Sequence, residues 1–223
     1  DWLIGFRMIT DTYGNQESVN VLFEDSHFNL WFGTQNSHLI KGYKYTNKVE
    51  VYNIGPFSES ITSVANNNQG DWFLSSGRFK RYGNSDQFRY NKRANPFLSI
   101  WNEYNNTWNY LNEDDFSELN NPDVNCTFNI DDRFLGVGLM NGLLIISLDD
   151  YQEYKFIEDN DGLSDDAVFE IEYYDDKVFA MTAKGISIYS LQSNLIIEEN
   201  ILNEFKLEDS EMLDMILFED SLY

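Results

Sequence analysis

The chain has 223 residues, 42% of them hydrophobic, enough to build one large core or two small ones, which excludes global disorder. Its formal net charge is −23, and this argues against nucleic acid or an anionic lipid surface as a partner, because both require cationic neutralisation. The charge is uneven: residues 1–110 hold 10 acidic and 10 basic side chains, residues 111–223 hold 28 and 5, so the surface tolerates cations and basic partners, with plain solubility as the simpler reading.

Aromatic residues reach 16% and prolines number 3; with abundant Asn and Asp, this composition favours strands separated by polar turns. In chain order, "DWLIG" at residue 1 reads as a strand. "SVNVLFED" from Ser18 alternates apolar and polar residues, the period of a half-buried strand. A short polar turn, "DSH", leads to "NLWFGT" from Asn29, then "HLIKGYKY" and "VEVYN". The same order returns. "SITSVANN", "DWFLSS", "GRFKRY" and "TWNYLN" form a second set, and "DVNCTFNID", "RFLGVG", "GLLIISL" and "EYKFIE" a third. "AVFEIEYYD", "KVFAMT" and "GISIYSL" begin a fourth, and "MLDMILFED" from Met212 opens another.

Val19, Ile61, Val124, Val168 and Leu213 hold the second position of each opening strand, at intervals of 42, 63, 44 and 45. Three near-equal intervals and one longer by about 20 mark a repeat of roughly four strands in 40–50 residues, the unit of a β-propeller blade. A single four-stranded sheet cannot bury both of its faces, so each copy needs its neighbours and carries the same alternation. The expected fold is all-β: a β-propeller of four-stranded antiparallel blades, about four to five of them covered. The expected boundaries are 1–16 (partial), 17–58, 59–121, 122–165, 166–210, and 211–223 as the start of a further blade. Trp31 is expected to pack one blade against the next.

The stretch "VNVLFEDSHFNLWFGTQNSHLIKGY" resembles the two-component regulator propeller repeats, with their acidic turn, Gly-Thr pair and following apolar strand. "EDNDGLSDDAVFEIEYYDDKVFAMTAKGISIYS" is the second match, with the Asp-Gly-Leu step between blades. "GDWFLSSGRFKRY" lacks the Gly-Thr pair and "DDRFLGVGLMNGLLII" lacks the Trp. The resemblance implies a propeller used for sensing outside the cytoplasm, as in hybrid histidine kinases, or carried by surface and secretion-associated proteins. Both ends fall inside a repeat unit, so the chain reads as an excerpt of a longer propeller.

The long interval places its extra residues near "GNSDQFRYNKRAN", Gly83 to Asn95, where Arg78, Lys80, Arg81, Arg89, Lys92 and Arg93 cluster. With Phe88 and Tyr90 interleaved this is superficially a nucleic-acid patch; the overall charge favours a surface hairpin extension, with a partner-binding loop as the alternative.

The chain holds no phosphate-binding loop, dinucleotide glycine cluster, His-Glu-x-x-His or Cys-x-x-Cys motif. His27 and His38, both expected in turns, give weak grounds for a metal. Cys126 reads as a buried, inert thiol. The acidic run Glu158–Asp166 fails as a helix-loop-helix calcium loop, because placing Gly162 at the sixth position puts Ile157 first and Val168 twelfth. It reads instead as a blade-connecting turn with Gly162 at positive φ. The longest uncharged apolar run, Phe134–Leu148, is shorter than a membrane span. No catalytic residue, metal or cofactor is expected.

The loops joining one blade to the next, "NEDDFSELNNPD", "EDNDGLSDDA" and "NEFKLEDSEM", are all acidic. They emerge on one face, the usual binding face by resemblance. Asp114, Asp115, Asp159, Asp161 and Asp165 are the expected binding residues. The functional expectation is a non-catalytic recognition or sensory module of a bacterial periplasmic, cell-surface or secreted protein. Its ligand would be an unidentified protein, small molecule or glycan, without nucleic acid and without membrane insertion by this segment. The alternatives are a structural scaffold of a cell-surface assembly and, third, a propeller hydrolase or lyase.

Overall fold

The computed structural model describes residues 9–10, 16–34, 38–43, 49–58, 60–76, 96–119, 122–198, 201, 217–218 and 221–222. The architecture is all-β. A two-stranded pair, β1 (Ile9–Thr10) and β2 (Gln16–Glu17), precedes four four-stranded antiparallel sheets. Blade 1 comprises β3 (Val19–Glu24), β4 (Asn29–Thr34), β5 (His38–Tyr43) and β6 (Val49–Asn53). Blade 2 comprises β7 (Ile61–Asn66), β8 (Asp71–Ser76), β9 (Pro96–Asn102) and β10 (Thr107–Asn112). Blade 3 is β11 (Val124–Ile130), β12 (Phe134–Leu139), β13 (Gly142–Ser147) and β14 (Tyr154–Ile157). Blade 4 is β15 (Val168–Tyr174), β16 (Lys177–Thr182), β17 (Gly185–Ser190) and β18 (Leu195–Glu198). A last hairpin, β19 (Leu217–Phe218) and β20 (Ser221–Leu222), places β19 beside β15. In each blade the strands pair in chain order, as a meander.

One element differs from the sequence expectation. The third position of blade 2 is taken by Pro96–Asn102, not by "GRFKRY", which lies outside the described residues. "PFLSIWN" outcompetes it because five consecutive residues, Pro96–Ile100, are buried in the sheet. The long interval is therefore an insertion between the second and third strands of the blade. The basic residues expected there also lie outside the described residues. His38 opens β5 rather than sitting in a turn.

The hairpins between first and second strands explain the Asx-rich composition. Asp25 Oδ1 accepts the backbone N–H groups of His27 and Asn29, both at 2.9 Å, and Phe28 turns the chain at φ 62°. Asn67 Oδ1 does the same for Gln69 and Asp71, at 3.0 and 2.9 Å. Blade 3 turns through three residues, Asp131-Asp132-Arg133, and blade 4 through two, Asp175-Asp176, with all four aspartates at positive φ, which short Asp side chains tolerate.

Every first strand carries a β-bulge at the same place, the second residue: Asn20, Thr62, Asn125 and Phe169. In two blades the bulged side chain reaches the next one. The Thr62 hydroxyl donates to the Val124 carbonyl at 3.4 Å, and the Asn125 amide donates to the Val168 carbonyl at 2.9 Å. Ser63 and Thr127, on neighbouring first strands, share a hydroxyl bond of 3.0 Å, and the Thr127 N–H donates to Ser63 Oγ.

The cores lie between blades. Phe73, Leu98, Ile100 and Leu111 of blade 2 meet Val124, Leu135, Val137, Leu139, Leu144 and Ile146 of blade 3. The opposite face of blade 3, with Cys126, Ile130, Leu143, Ile145 and Ile157, meets Val168, Ile171, Val178 and Ala180 of blade 4. Gly138 is needed for this approach. A Cβ there would stand 2.5 Å from Cys126 Sγ and 2.9 Å from the Val168 carbonyl oxygen. Burial pushes the Cys126 thiol up to about 12, which fits the inert reading. Blade 1 keeps a smaller core of Phe32 and Ile40, flanked by Leu30, Val49 and Val51.

Trp31 departs from its expected role. Its register position matches Phe73, which is fully buried against blade 3. Yet the described contacts of Trp31 all belong to its own blade. Its indole N–H donates to Asp25 Oδ2 at 2.9 Å, its ring meets Tyr52 at 5.8 Å, and Lys41 Nζ lies 5.3 Å from its centroid.

Candidate functional site

Strand direction alternates in a meander, so the loops after the fourth strands emerge at the same end as the turns between second and third strands. Two contacts link these elements across that end. Lys184, in the β16–β17 turn, pairs with Asp165 of the loop entering blade 4 at 2.8 Å, and the Met140 N–H donates to the Asp123 carbonyl at 3.0 Å.

The loops leaving blades 2 and 3 are built alike. Each begins with a single 3-10 turn, Glu113–Asp115 and Asp159–Asp161. In both, the third residue of the turn reaches back to the capping residue's N–H: Asp115 Oδ2 accepts from Asn112 at 2.8 Å, and Asp161 Oδ2 accepts from Glu158 at 3.1 Å. Asn112 Oδ1 accepts the Asp114 N–H at 2.8 Å, and Asp166 Oδ1 accepts the Asp159 N–H at 2.9 Å. Gly162 ends the second turn at φ 105°, as its sequence context implies.

The five expected carboxylates therefore divide. Asp115 and Asp161 hold turn geometry. Asp165 accepts the Ala167 N–H at 3.3 Å and bonds Lys184, whose ammonium holds its carboxyl below the usual range. Asp114 and Asp159 stand exposed on equivalent turns, at the second and first positions, and their backbone N–H groups donate to Asn112 and Asp166. The third expected loop, "NEFKLEDSEM", lies outside the described residues. Among the described residues no group of three or more His, Cys, Asp or Glu is placed to hold a metal ion.

The entry into a blade follows one rule that sequence reading missed. Four residues before the first strand, a backbone N–H donates to a buried serine of the third strand: Phe57 to Ser99 Oγ and Ser164 to Ser187 Oγ, both at 2.9 Å. The signal was a serine inside an otherwise apolar third strand.

A second missed feature is aromatic. Trp72, Trp101 and Trp108 pair side by side across β8, β9 and β10. Trp101 and Trp108 are stacked at 6.1 Å and 21°, and Trp108 and Tyr110 at 6.4 Å and 14°. The Trp72 and Trp101 indoles donate to Glu103 and Asn106. This row lies on the face of blade 2 opposite the one packed on blade 3. The segment leaving blade 1 attaches there, through Tyr110 Oη to the Gly55 carbonyl at 2.7 Å and Phe57 against the Tyr110 ring. The alternation "WNEYNNTWNY" carried the signal.

No family model matches the chain, and no curated protein matches it. Among solved structures it is similar to the extracellular domain of a B. thetaiotaomicron protein described as a hybrid two component system, BT3049. That likeness has a TM-score of 0.56 and 15% identity, and covers 98% of this chain and 28% of that one. It is also similar to the β-propeller domain of Myceliophteria thermophila Cps50 (Swd1), with TM-score 0.50 and 12% identity over 92% of this chain and 62% of that one. A catalytically inactive virginiamycin B lyase from Staphylococcus aureus aligns at TM-score 0.49 and 11% identity, over 89% and 59% of the two chains. The chain spans less than two thirds of each of these structures. What the first two share with it is the fold: propeller blades, here not closed into a ring. Among the described residues no helix is long and apolar enough to cross a membrane.

Proposed function

We propose that the chain is part of a non-catalytic recognition propeller of an extracytoplasmic bacterial protein, and that its acidic loop face meets a cation-bearing partner. The observation that carries this reading is the repeated design of the two turns. Each spends the carboxylate of its third residue on its own geometry and carries a second, exposed carboxylate, Asp114 at the second position of one turn and Asp159 at the first position of the other. A fixed turn holding an exposed charge presents it without further ordering cost. The resemblance to propeller repeats of sensor proteins, and the extracellular domain among the similar folds, support a place outside the cytoplasm.

The test uses an oligolysine peptide as probe at two ionic strengths. Asp114→Asn with Asp159→Asn should weaken binding more than the same neutralisation at the opposite end, Asp149→Asn with Asp175→Asn. Equal losses from both pairs would reduce the effect to net charge and overturn the reading.

A further inference from the structure

The seams between blades 2 and 3 and between 3 and 4 follow one register. The bulged residue of a first strand donates to the carbonyl of the residue opening the next first strand: Thr62 to Val124, Asn125 to Val168. The residue after the bulge meets the residue two past the bulge in the next blade. Ser63 bonds Thr127, and Cys126 shares a buried cluster with Ile171. Transposed to blades 1 and 2, the rule pairs Asn20 with the Ile61 carbonyl and Val21 with Val64.

Neither pair is made in this structure. Asn20 has no side-chain partner among the described residues, and β3 is exposed along its whole length. Val21 and Phe23 are 62% and 61% exposed, and Val64 is 51% exposed. Gly33 tells the same story from β4. It is the register counterpart of Gly138, yet a Cβ there would meet only Val21 of its own strand pair, at 3.6 Å. The link from blade 1 is held onto blade 2 at its outer strands, where Tyr110 holds the Gly55 carbonyl and Ser99 holds the Phe57 N–H.

We propose that this seam is a two-position joint. Blade 1 swings about the Gly55–Phe57 attachment and closes on blade 2, packing Val21 on Val64 and giving the Asn20 amide the Ile61 carbonyl. The two exposed valines drive closure, since both leave water together. The outer half of the same face resists it. Lys41 and Glu50 stand opposite each other there, where blade 2 has Ile100 and Asn109, and Glu50 accepts both the Tyr43 and Tyr52 hydroxyls. Covering this charged pair costs desolvation; at the matching places blade 3 has Ile145 and a single charge, the exposed Lys155. The opposition of an apolar inner half to a charged outer half is what leaves the joint movable. This inference stands whether or not the loop face binds a cation.

Cysteine pairs test it in the full chain. Val21→Cys with Val64→Cys should form an intrachain disulfide under mild oxidation, as should Ser63→Cys with Thr127→Cys at the closed seam. Leu22→Cys with Val64→Cys should stay reduced, because Leu22 lies on the other face of β3. Buried Cys126 stays out of the exchange. If the Val21 pair stays reduced while the Ser63 pair links, the joint does not close. If it links only between molecules, the face belongs to a second copy; either result overturns the proposal. Charge reversal gives a second reading should the cysteine variants fold poorly. Val64→Asp should lower the thermal midpoint and Val21→Lys should restore it in the double variant; no shift from either also overturns the proposal.

Discussion

The side-chain amide of Asn125 donates to the carbonyl oxygen of Val168, 2.9 Å away in the following blade. Asn125 reaches it because it is the bulged residue of β11, set aside from the ladder that its neighbours Val124 and Cys126 make with β12. A bulge locally disrupts the ladder; here it frees a donor to join two sheets whose buried contacts are otherwise mainly apolar. Asn125→Leu should therefore destabilise the chain by about 1–2 kcal/mol, the cost of leaving a half-buried carbonyl unpaired. Thr62→Val should cost less, since its bond is longer at 3.4 Å. Urea unfolding midpoints of the two variants decide between this order and an equal loss.

The same seam sets a glycine prediction. At Gly138 an added methyl would collide with the Val168 backbone, which moves only if blade 4 moves. At Gly136 the nearest atoms are the side-chain ends of Ile130 and Ile171, at 3.0 and 3.2 Å, which can rotate away. Gly138→Ala should cost about 1–3 kcal/mol, in the range of overpacked cores, and Gly136→Ala below about 1 kcal/mol. Equal thermal shifts would mean that the blades slide freely.

The repeat was legible because each blade must hide both faces, which forces one alternation on every copy. The strand order and the second strands could be read directly, down to "NLWFGT" as Asn29–Thr34. The third strand of blade 2 could not. "GRFKRY" and "PFLSIWN" both fit a strand, and only the buried partners of Phe97, Leu98 and Ile100 choose between them. The role of Trp31 was misread for a related reason. Its register position faces the next blade, but facing does not ensure contact, and the indole found Asp25 and Tyr52 instead. Among the acidic loops, sequence could locate the carboxylates but not their tasks. Asp115 and Asp161 are bound inward by their own turns, a distinction of a few ångströms that composition does not carry.

Asp25 gives a pH prediction. It accepts the Trp31 indole N–H, the Asn29 side-chain amide and two backbone N–H groups, and the indole bond first among these holds its carboxyl well below the ordinary 3.8. A depressed carboxyl contributes stability that is present above pH 3.8 and lost as pH falls through the lower folded value. Acid titration followed by tryptophan fluorescence should show blade 1 loosening below that pH. Asp25→Asn should flatten this acid limb. It should keep the turn itself, because Asn67 makes the same two backbone bonds in blade 2. An unchanged acid limb in the variant would assign the transition to other carboxylates.

The loop face yields the last prediction, which separates structural from presented charge. Asp115 accepts the N–H of its capping residue, and Asp114 is exposed on the same turn. Asp115→Ala removes a capping bond and should cost about 1 kcal/mol. Asp114→Ala leaves the capping bond in place and should leave stability within about 0.5 kcal/mol of the parent, as surface changes do. Oligolysine binding should show the reverse order, falling more for Asp114→Ala than for Asp115→Ala at temperatures where both are folded. If Asp115→Ala weakens binding more, the charge acts only through the shape of the turn. If stability and binding fall together in both variants, the two carboxylates are not divided in labour and the recognition reading loses its main support.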